Sequence, residues 1–207
     1  MRLLALGLDP RKLIDDYGTI GLFLIVFAES GLFFGFFLPG DALLFTAGLL
    51  VATHVINTNI VFVVLGVILA SILGNQVGYI FGRRVGPELF DRPKSRIFNP
   101  KYVTKAHEFF ERNGSKTIVL ARFVPIVRTF APIVAGVAGM RAATFAAFNI
   151  AGGVLWGGGV TLLGFALGKR YEWMGDKIDV LAPVIVAISL LPILVEYLRH
   201  RRHAKAQ

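Results

Sequence analysis

The sequence predicts an all-α polytopic membrane protein. Its expected architecture is an inverted repeat of two re-entrant helical hairpins, each followed by a transmembrane helix, plus flanking transmembrane helices. Three observations predict it. Hydrophobic residues make up 55% of the 207 and charged residues only 17%, against roughly 25% charge in a soluble domain. The charges are gathered into blocks, leaving Ala42–Gly82, Ala142–Gly168 and Val180–Val195 free of Asp, Glu, Lys and Arg. Two further apolar segments are interrupted by Pro and Gly.

The elements follow in order along one membrane domain, residues 1–207. An apolar helix begins near Tyr17 and runs towards Glu29. Asp9, Asp15 and Asp16 precede it, and no small-x-small site comes before Glu29. That is a poor cleaved signal, so the segment is expected to be retained. With the broken stretch Gly31–Leu50, interrupted at Pro39-Gly40, it makes up a first unit over 15–50. Residues 60–82 then form a transmembrane helix, since about 20 apolar residues cross ~30 Å of hydrocarbon. A basic loop follows over 83–115. In it Asn99-Pro100 reads as a helix start, and Val103, Ala106, Phe109 and Phe110 share one face of an amphipathic surface helix. A second broken segment, 116–140, carries Pro125 and Pro132. Transmembrane helices are expected over 145–168 and 181–198, then a basic tail over 199–207.

Charge sets the orientation. Residues 83–116 hold nine basic and four acidic groups, and residues 196–207 four basic and one acidic. Both belong inside by the positive-inside rule. The spans return the chain correctly only if neither broken segment crosses, leaving both termini cytoplasmic. Irregular backbone at that depth is tolerated against protein or a water-filled cavity. The halves also echo each other. Pro39-Gly40-Asp41, Ala47-Gly48 and Gly78-x-x-x-Gly82-Arg83-Arg84 answer Arg128-Thr129-Phe130, Ala135-Gly136 and Gly164-x-x-x-Gly168-Lys169-Arg170. An inverted repeat of this kind puts its binding site near the midplane, where the broken hairpins meet.

Chemistry is sought in charges placed inside apolar segments. Glu29 and Asp41 flank the first break, and Arg122 and Arg128 flank Pro125. Each costs roughly 2.5–3.5 kcal/mol at a helix centre, so they are expected to face one another, a cavity or a ligand. They could form a purely structural ion-pair network. They could also work: arginine suits a bidentate grip on phosphate or carboxylate, and a carboxylate in a low-dielectric site can carry a proton. Gly74, Gly78, Gly82 and Gly86 form a small-residue stripe suited to close helix packing. Asn75, Gln76 and Asn149 read as inter-helix hydrogen-bonding groups, and Trp156 falls mid-span.

Several function classes are excluded or disfavoured. The chain has no Cys, which removes disulfide scaffolds, thiolate metal sites and Cys nucleophiles. With four His, no metal site or other cofactor is expected. The +9 net charge sits beside membrane spans, so nucleic acid is not the expected partner. No nucleophile elbow, phosphate loop or His-Glu-x-x-His motif occurs, and the chain is not expected to be an enzyme.

The residues Phe27-Ala-Glu29-Ser-Gly31, Phe37-Leu-Pro39-Gly40-Asp41 and Ala121-Arg122-Phe123-Val-Pro125-Ile-Val-Arg128-Thr129-Phe130-x-Pro132 closely resemble the DedA family of bacterial membrane proteins. That family shares the VTT, or SNARE-associated, domain with eukaryotic lipid scramblases. The resemblance implies two re-entrant hairpins in inverted orientation and an inner-membrane lipid transporter tied to the proton motive force and envelope integrity. Some members recycle undecaprenyl phosphate, and others are linked to phosphatidylethanolamine. The family's important acids match Glu29 and Asp41, and its important arginines match Arg122 and Arg128.

The expectation is a flippase for a phosphate-headgroup lipid, undecaprenyl phosphate first and phosphatidylethanolamine second. Its partners are then membrane lipids and protons, with a second copy of the chain left open. The rivals are a proton-coupled transporter of small cations or drugs, a non-transporting assembly factor, and a lipid phosphatase.

Overall fold

The computed structural model describes residues 18–31, 40–89 and 100–171. Pro39, the expected span over 181–198 and the tail lie outside them. Among the described residues the secondary structure is helical throughout. The helices are α1 (Thr19–Gly31), α2 (Gly40–Ala52), α3 (Ile60–Leu89), α4 (Pro100–Asn113), α5 (Thr117–Ala121), α6 (Pro125–Val137), α7 (Ala142–Gly153) and α8 (Gly159–Arg170). A π-helical turn, Val154–Gly158, joins α7 to α8.

Two stretches are long and apolar enough to cross a bilayer: Ile60–Gly86, of 27 residues, and Ala142–Arg170, of 29. They fall on two of the charge-free stretches in the sequence. Their outer faces invert the pattern of a soluble helix. On α3, Val61, Leu65, Leu69, Leu73 and Val77 recur every fourth residue and are exposed, while Val67, Ser71, Asn75 and Tyr79 are buried. An exposed apolar stripe of this length is the face that lipid covers.

Helix α1 has 13 residues, falls where the sequence placed an apolar helix from near Tyr17 towards Glu29, and runs parallel to α3. Phe23 meets Gly66, Phe27 meets Gly74, and Gly31 meets Gly74 and Gly78, so the contacts advance together along both helices. Pro132 was expected to mark a hairpin break, but it lies inside α6 and is buried. The chain bends instead at Arg122–Val124. There Val124 is extended and Pro125 opens α6 at its first position, where a missing N–H costs no helical bond. Pro132 lacks an N–H to donate to the Arg128 carbonyl, yet the turns on either side carry the helix past it.

The chain divides into two compact units. One contains α2 and α8; the other contains most of α1 together with α3 to the π turn. Each is built around a glycine crossing. In the first, a Cβ on Gly48 would overlap the Thr161 carbonyl oxygen and lie 2.8 Å from the Phe165 amide nitrogen, and one on Gly164 would overlap the Phe45 carbonyl. In the second, a Cβ on Gly136 would overlap the Tyr79 carbonyl and lie 2.7 Å from the Arg83 amide nitrogen, and one on Gly82 would overlap the Ile133 carbonyl. The backbone atoms met stand at the same offsets in both units: three residues before the partner glycine, and for Gly48 and Gly136 also one residue after it. The two helices of each crossing run parallel, with backbones in contact and no side chain between them.

The matched contacts lie one turn away from the glycines paired in the sequence reading. The sequence paired Gly82 with Gly168. In the structure Gly82 makes the contact that Gly164 makes, and Gly86, against Val137, answers Gly168, against Leu49 and Ala52. The basic pairs misled because α3 runs on to Leu89 past Arg83-Arg84, whereas α8 ends at Lys169-Arg170.

Candidate functional site

Three of the four charged residues singled out in the sequence meet in the second unit. Glu29 lies in the last turn of α1, Arg122 on the bend after α5, and Arg128 in the first turn of α6. All are buried, with exposures of 1%, 3% and 8%. The bend before Pro125 separates the two arginines along the chain. The close approach of α1 to α3 brings in Glu29: a Cβ on Gly31 would lie 2.7 Å from the Gly74 carbonyl oxygen, so no side chain can stand between the helices there.

The two arginines are held differently. Arg128 Nη2 forms an ion pair with Glu29 Oε1. Arg122 has no carboxylate within salt-bridge distance among the described residues. Its Nη2 donates to Asn149 Oδ1 at 2.6 Å and approaches the carbonyls of Asn149 and Ser71 at 3.4 and 3.5 Å. Its Nε has no hydrogen-bond partner among the described residues. Asn149 is itself fixed, donating to the Ile72 carbonyl at 3.0 Å. The Asn75 amide has two orientations open to it. In one its nitrogen donates to Asn149 Oδ1 at 3.1 Å. In the other its nitrogen reaches the Ser30 carbonyl and its oxygen accepts from Arg122 Nη2, both at 2.9 Å.

Room for Arg122 comes from Gly152. A Cβ there would lie 2.7 Å from Arg122 Cδ and 2.9 Å from its Nε. Both arginines lie beside Trp156, 3% exposed. The Arg128 guanidinium lies 4.9 Å from the indole centroid and that of Arg122 6.0 Å, both within cation–π range. Among the described residues Arg122 is thus a buried cation held by neutral acceptors, beside an Arg128 that is ion-paired to Glu29.

Asp41 belongs to the other unit. It stands partly exposed in the first turn of α2, where a negative charge complements the helix dipole. The sequence reading placed Asn75 and Asn149 between helices, and they are hydrogen-bonded there. It missed the part Trp156 plays. The available signal was a tryptophan set mid-span, away from the interfacial belt where this residue usually lies, with glycines on both sides at 152, 153, 157, 158 and 159.

The VTT domain matches residues 38–166 of this chain. Protein DedA of Escherichia coli is 42% identical over 205 residues, covering 98% of this chain and 93% of the relative. The chain belongs to the DedA family. Other relatives are similar over comparable lengths. An uncharacterized membrane protein of Mycobacterium tuberculosis is 49% identical, covering 93% of this chain and 86% of its own. One of Mycobacterium leprae is 42% identical, covering 97% and 93%. No solved structure matches. The VTT match spans Asp41, both arginines and Trp156, and Glu29 lies upstream of it. Together with the two long apolar helices, the relatives make this a membrane protein.

Proposed function

We propose that this DedA-family chain moves a phosphate-headgroup lipid, undecaprenyl phosphate in particular, between leaflets of the bacterial cytoplasmic membrane, coupled to the proton gradient. The observation that carries the reading is Arg122, a buried guanidinium whose hydrogen bonds run to Asn149 and Ser71 and, among the described residues, to no carboxylate. A buried cation held by neutral acceptors is suited to an anion, and guanidinium forks fit phosphate oxygens. The lipid tails stay in hydrocarbon while the headgroup travels.

The two arginines divide the work. Arg122 is ready for an oxyanion at once. Arg128 is screened by Glu29, and it is released when Glu29 takes a proton. Anion and proton then enter together, which limits the net charge brought into the membrane. Asp41 is the second proton-exchanging acid of this scheme. The inverted duplication belongs to the same proposal. It is supported by the matched glycine crossings and by the long helices of the second unit, which run antiparallel: Gly153 meets Ile72, while Gly158 meets Ile68 and Val64.

The test is translocation of fluorescent undecaprenyl phosphate in proteoliposomes, with and without an imposed pH gradient, and with phosphatidylethanolamine as comparison. Movement of the prenyl phosphate is expected, and Arg128→Lys should impair it because a point charge lacks the planar fork. Full activity of Arg128→Lys would sink the specific-grip idea. Movement of phosphatidylethanolamine alone would redirect the substrate assignment.

A further inference from the structure

A cavity of about 350 Å³ opens where α2 and α8 end and α3 begins. Gly168 brings the end of α8 onto Leu49 and Ala52 of α2, so the two helix ends form one wall. The turn between α2 and α3 forms the other. Ile60 and Phe165 give the cavity an apolar side, and His54, Asn57, Thr58 and Lys169 give it a polar one. None of these residues belongs to the Arg122 cluster.

Two of the polar side chains are placed for a ligand. His54 has a φ of +57° and is the one non-glycine residue with positive φ among the described ones. It closes the end of α2: the Val55 and Ile56 amides donate to the Leu50 carbonyl at 3.0 and 3.2 Å. Glycine suits such a cap. Histidine adds nothing to the turn that glycine lacks, and strained residues of this kind gather at ligand sites. Lys169 Nζ lies 4.9 Å from the Phe165 ring centroid, and an aromatic face attracts a cation without using its N–H groups. The end of α2 makes no demand on this lysine, because Thr53 Oγ1 donates to the Leu49 carbonyl at 3.0 Å and the turn amides take Leu50. Among the described residues neither the Lys169 nor the His54 side chain has a hydrogen bond or ion pair.

We propose that this cavity is a second anion site, in which Lys169 and His54 close on the phosphate headgroup of a membrane lipid. The place of the cavity favours a lipid over a free ion. Ile60 starts a 27-residue apolar stretch, and Val61, Phe62 and Leu65 expose apolar side chains from its first turns. A headgroup in the cavity leaves its tail beside that face. Arg83 and Arg84 lie about 35 Å further along α3, so the cavity serves the opposite membrane surface from the basic segment. The inference rests on the transport reading only in taking the same class of lipid.

The full chain in phosphatidylcholine nanodiscs is irradiated with a photoreactive farnesyl phosphate analogue, and the labelled peptides are mapped. Label is expected within 51–60 or 165–169, competed by farnesyl phosphate and not by farnesol. Labelling confined to other segments overturns the proposal. Equal competition by inorganic phosphate would mark a free-ion site and overturn the lipid as ligand.

Variants then test the two side chains. Lys169→Gln should raise the half-competing concentration of farnesyl phosphate about 10-fold, and Lys169→Arg should stay within about 3-fold of the parent. His54→Gly relieves the turn, so the melting temperature should not fall, while competition weakens about 3-fold. A lysine that only anchors α8 at the interface would leave Lys169→Gln labelled and competed as the parent is, and that result overturns the proposal. Labelling here in a chain that translocates no phosphate lipid supports this site and fails the transport reading. Translocation without labelling here does the reverse.

Discussion

The two glycine crossings, α2 with α8 and α3 with α6, share one packing solution at matched positions, yet among the described residues the buried charges gather beside the second. Around the α3/α6 crossing stand Glu29, Arg122, Arg128, Asn75, Asn149 and Trp156. The α2/α8 unit contributes Asp41, in a first-turn position that a helix dipole already favours. Backbone-to-backbone packing asks only for a small residue at one register, which a chain can meet twice easily. A buried charge demands a partner, and each partner must be placed separately. Packing and chemistry are therefore separable in this protein, and substitutions should separate them.

The largest expected effect is on the chemistry. Arg128→Ala leaves Glu29 without its ion-pair partner and should destabilise the protein by roughly 3–5 kcal/mol. Thermal unfolding in detergent reads this; a loss below about 1 kcal/mol would mean that the Arg128–Glu29 pair is not what holds the cluster.

Next come the crossings. Gly48→Ala and Gly136→Ala each set a methyl against a carbonyl oxygen, and should each cost at least about 1–3 kcal/mol. The two losses should match within about 0.5 kcal/mol; a large difference would break the equivalence of the crossings. Gly152→Ala is subtler. Its methyl meets the flexible Arg122 side chain rather than backbone, so stability should fall by less than about 1 kcal/mol. Translocation of the phosphate lipid should fall about 10-fold, since a displacement near 1 Å can cost more than that. Unchanged transport in Gly152→Ala would show that Arg122 need not hold this position. The smallest effect should be a gain. A Cβ on Gly159 meets nothing within 4 Å, and Gly159→Ala should stabilise the helix by about 0.5–1 kcal/mol.

The sequence made the long helices legible because hydrocarbon imposes a length and forbids charge, and both constraints show in one dimension. Glu29, Arg122 and Arg128 stood out for the same reason. The pairing of Glu29 with Arg128 rather than Arg122 did not, because it depends on how α1 meets α3 at Gly31 and Gly74. Pro132 misled because a proline inside a helix and one at its start look alike in sequence. Trp156 escaped because its neighbours decide its role: an indole becomes a shelf for two cations only once a π turn and a bend 30 residues upstream bring them together.

The crossing partners lie far apart in the order of synthesis. Gly48 waits for Gly164, which the ribosome adds 116 residues later, roughly 6–23 s at 5–20 residues per second. During that interval α2 is a short, Gly-containing apolar helix in the bilayer without the surface it is shaped to fit. Neither half of the gene product can complete its own crossing, since each arm closes on the long helix of the other half. A chain interrupted before Gly164 therefore leaves α2 without the helix it packs on.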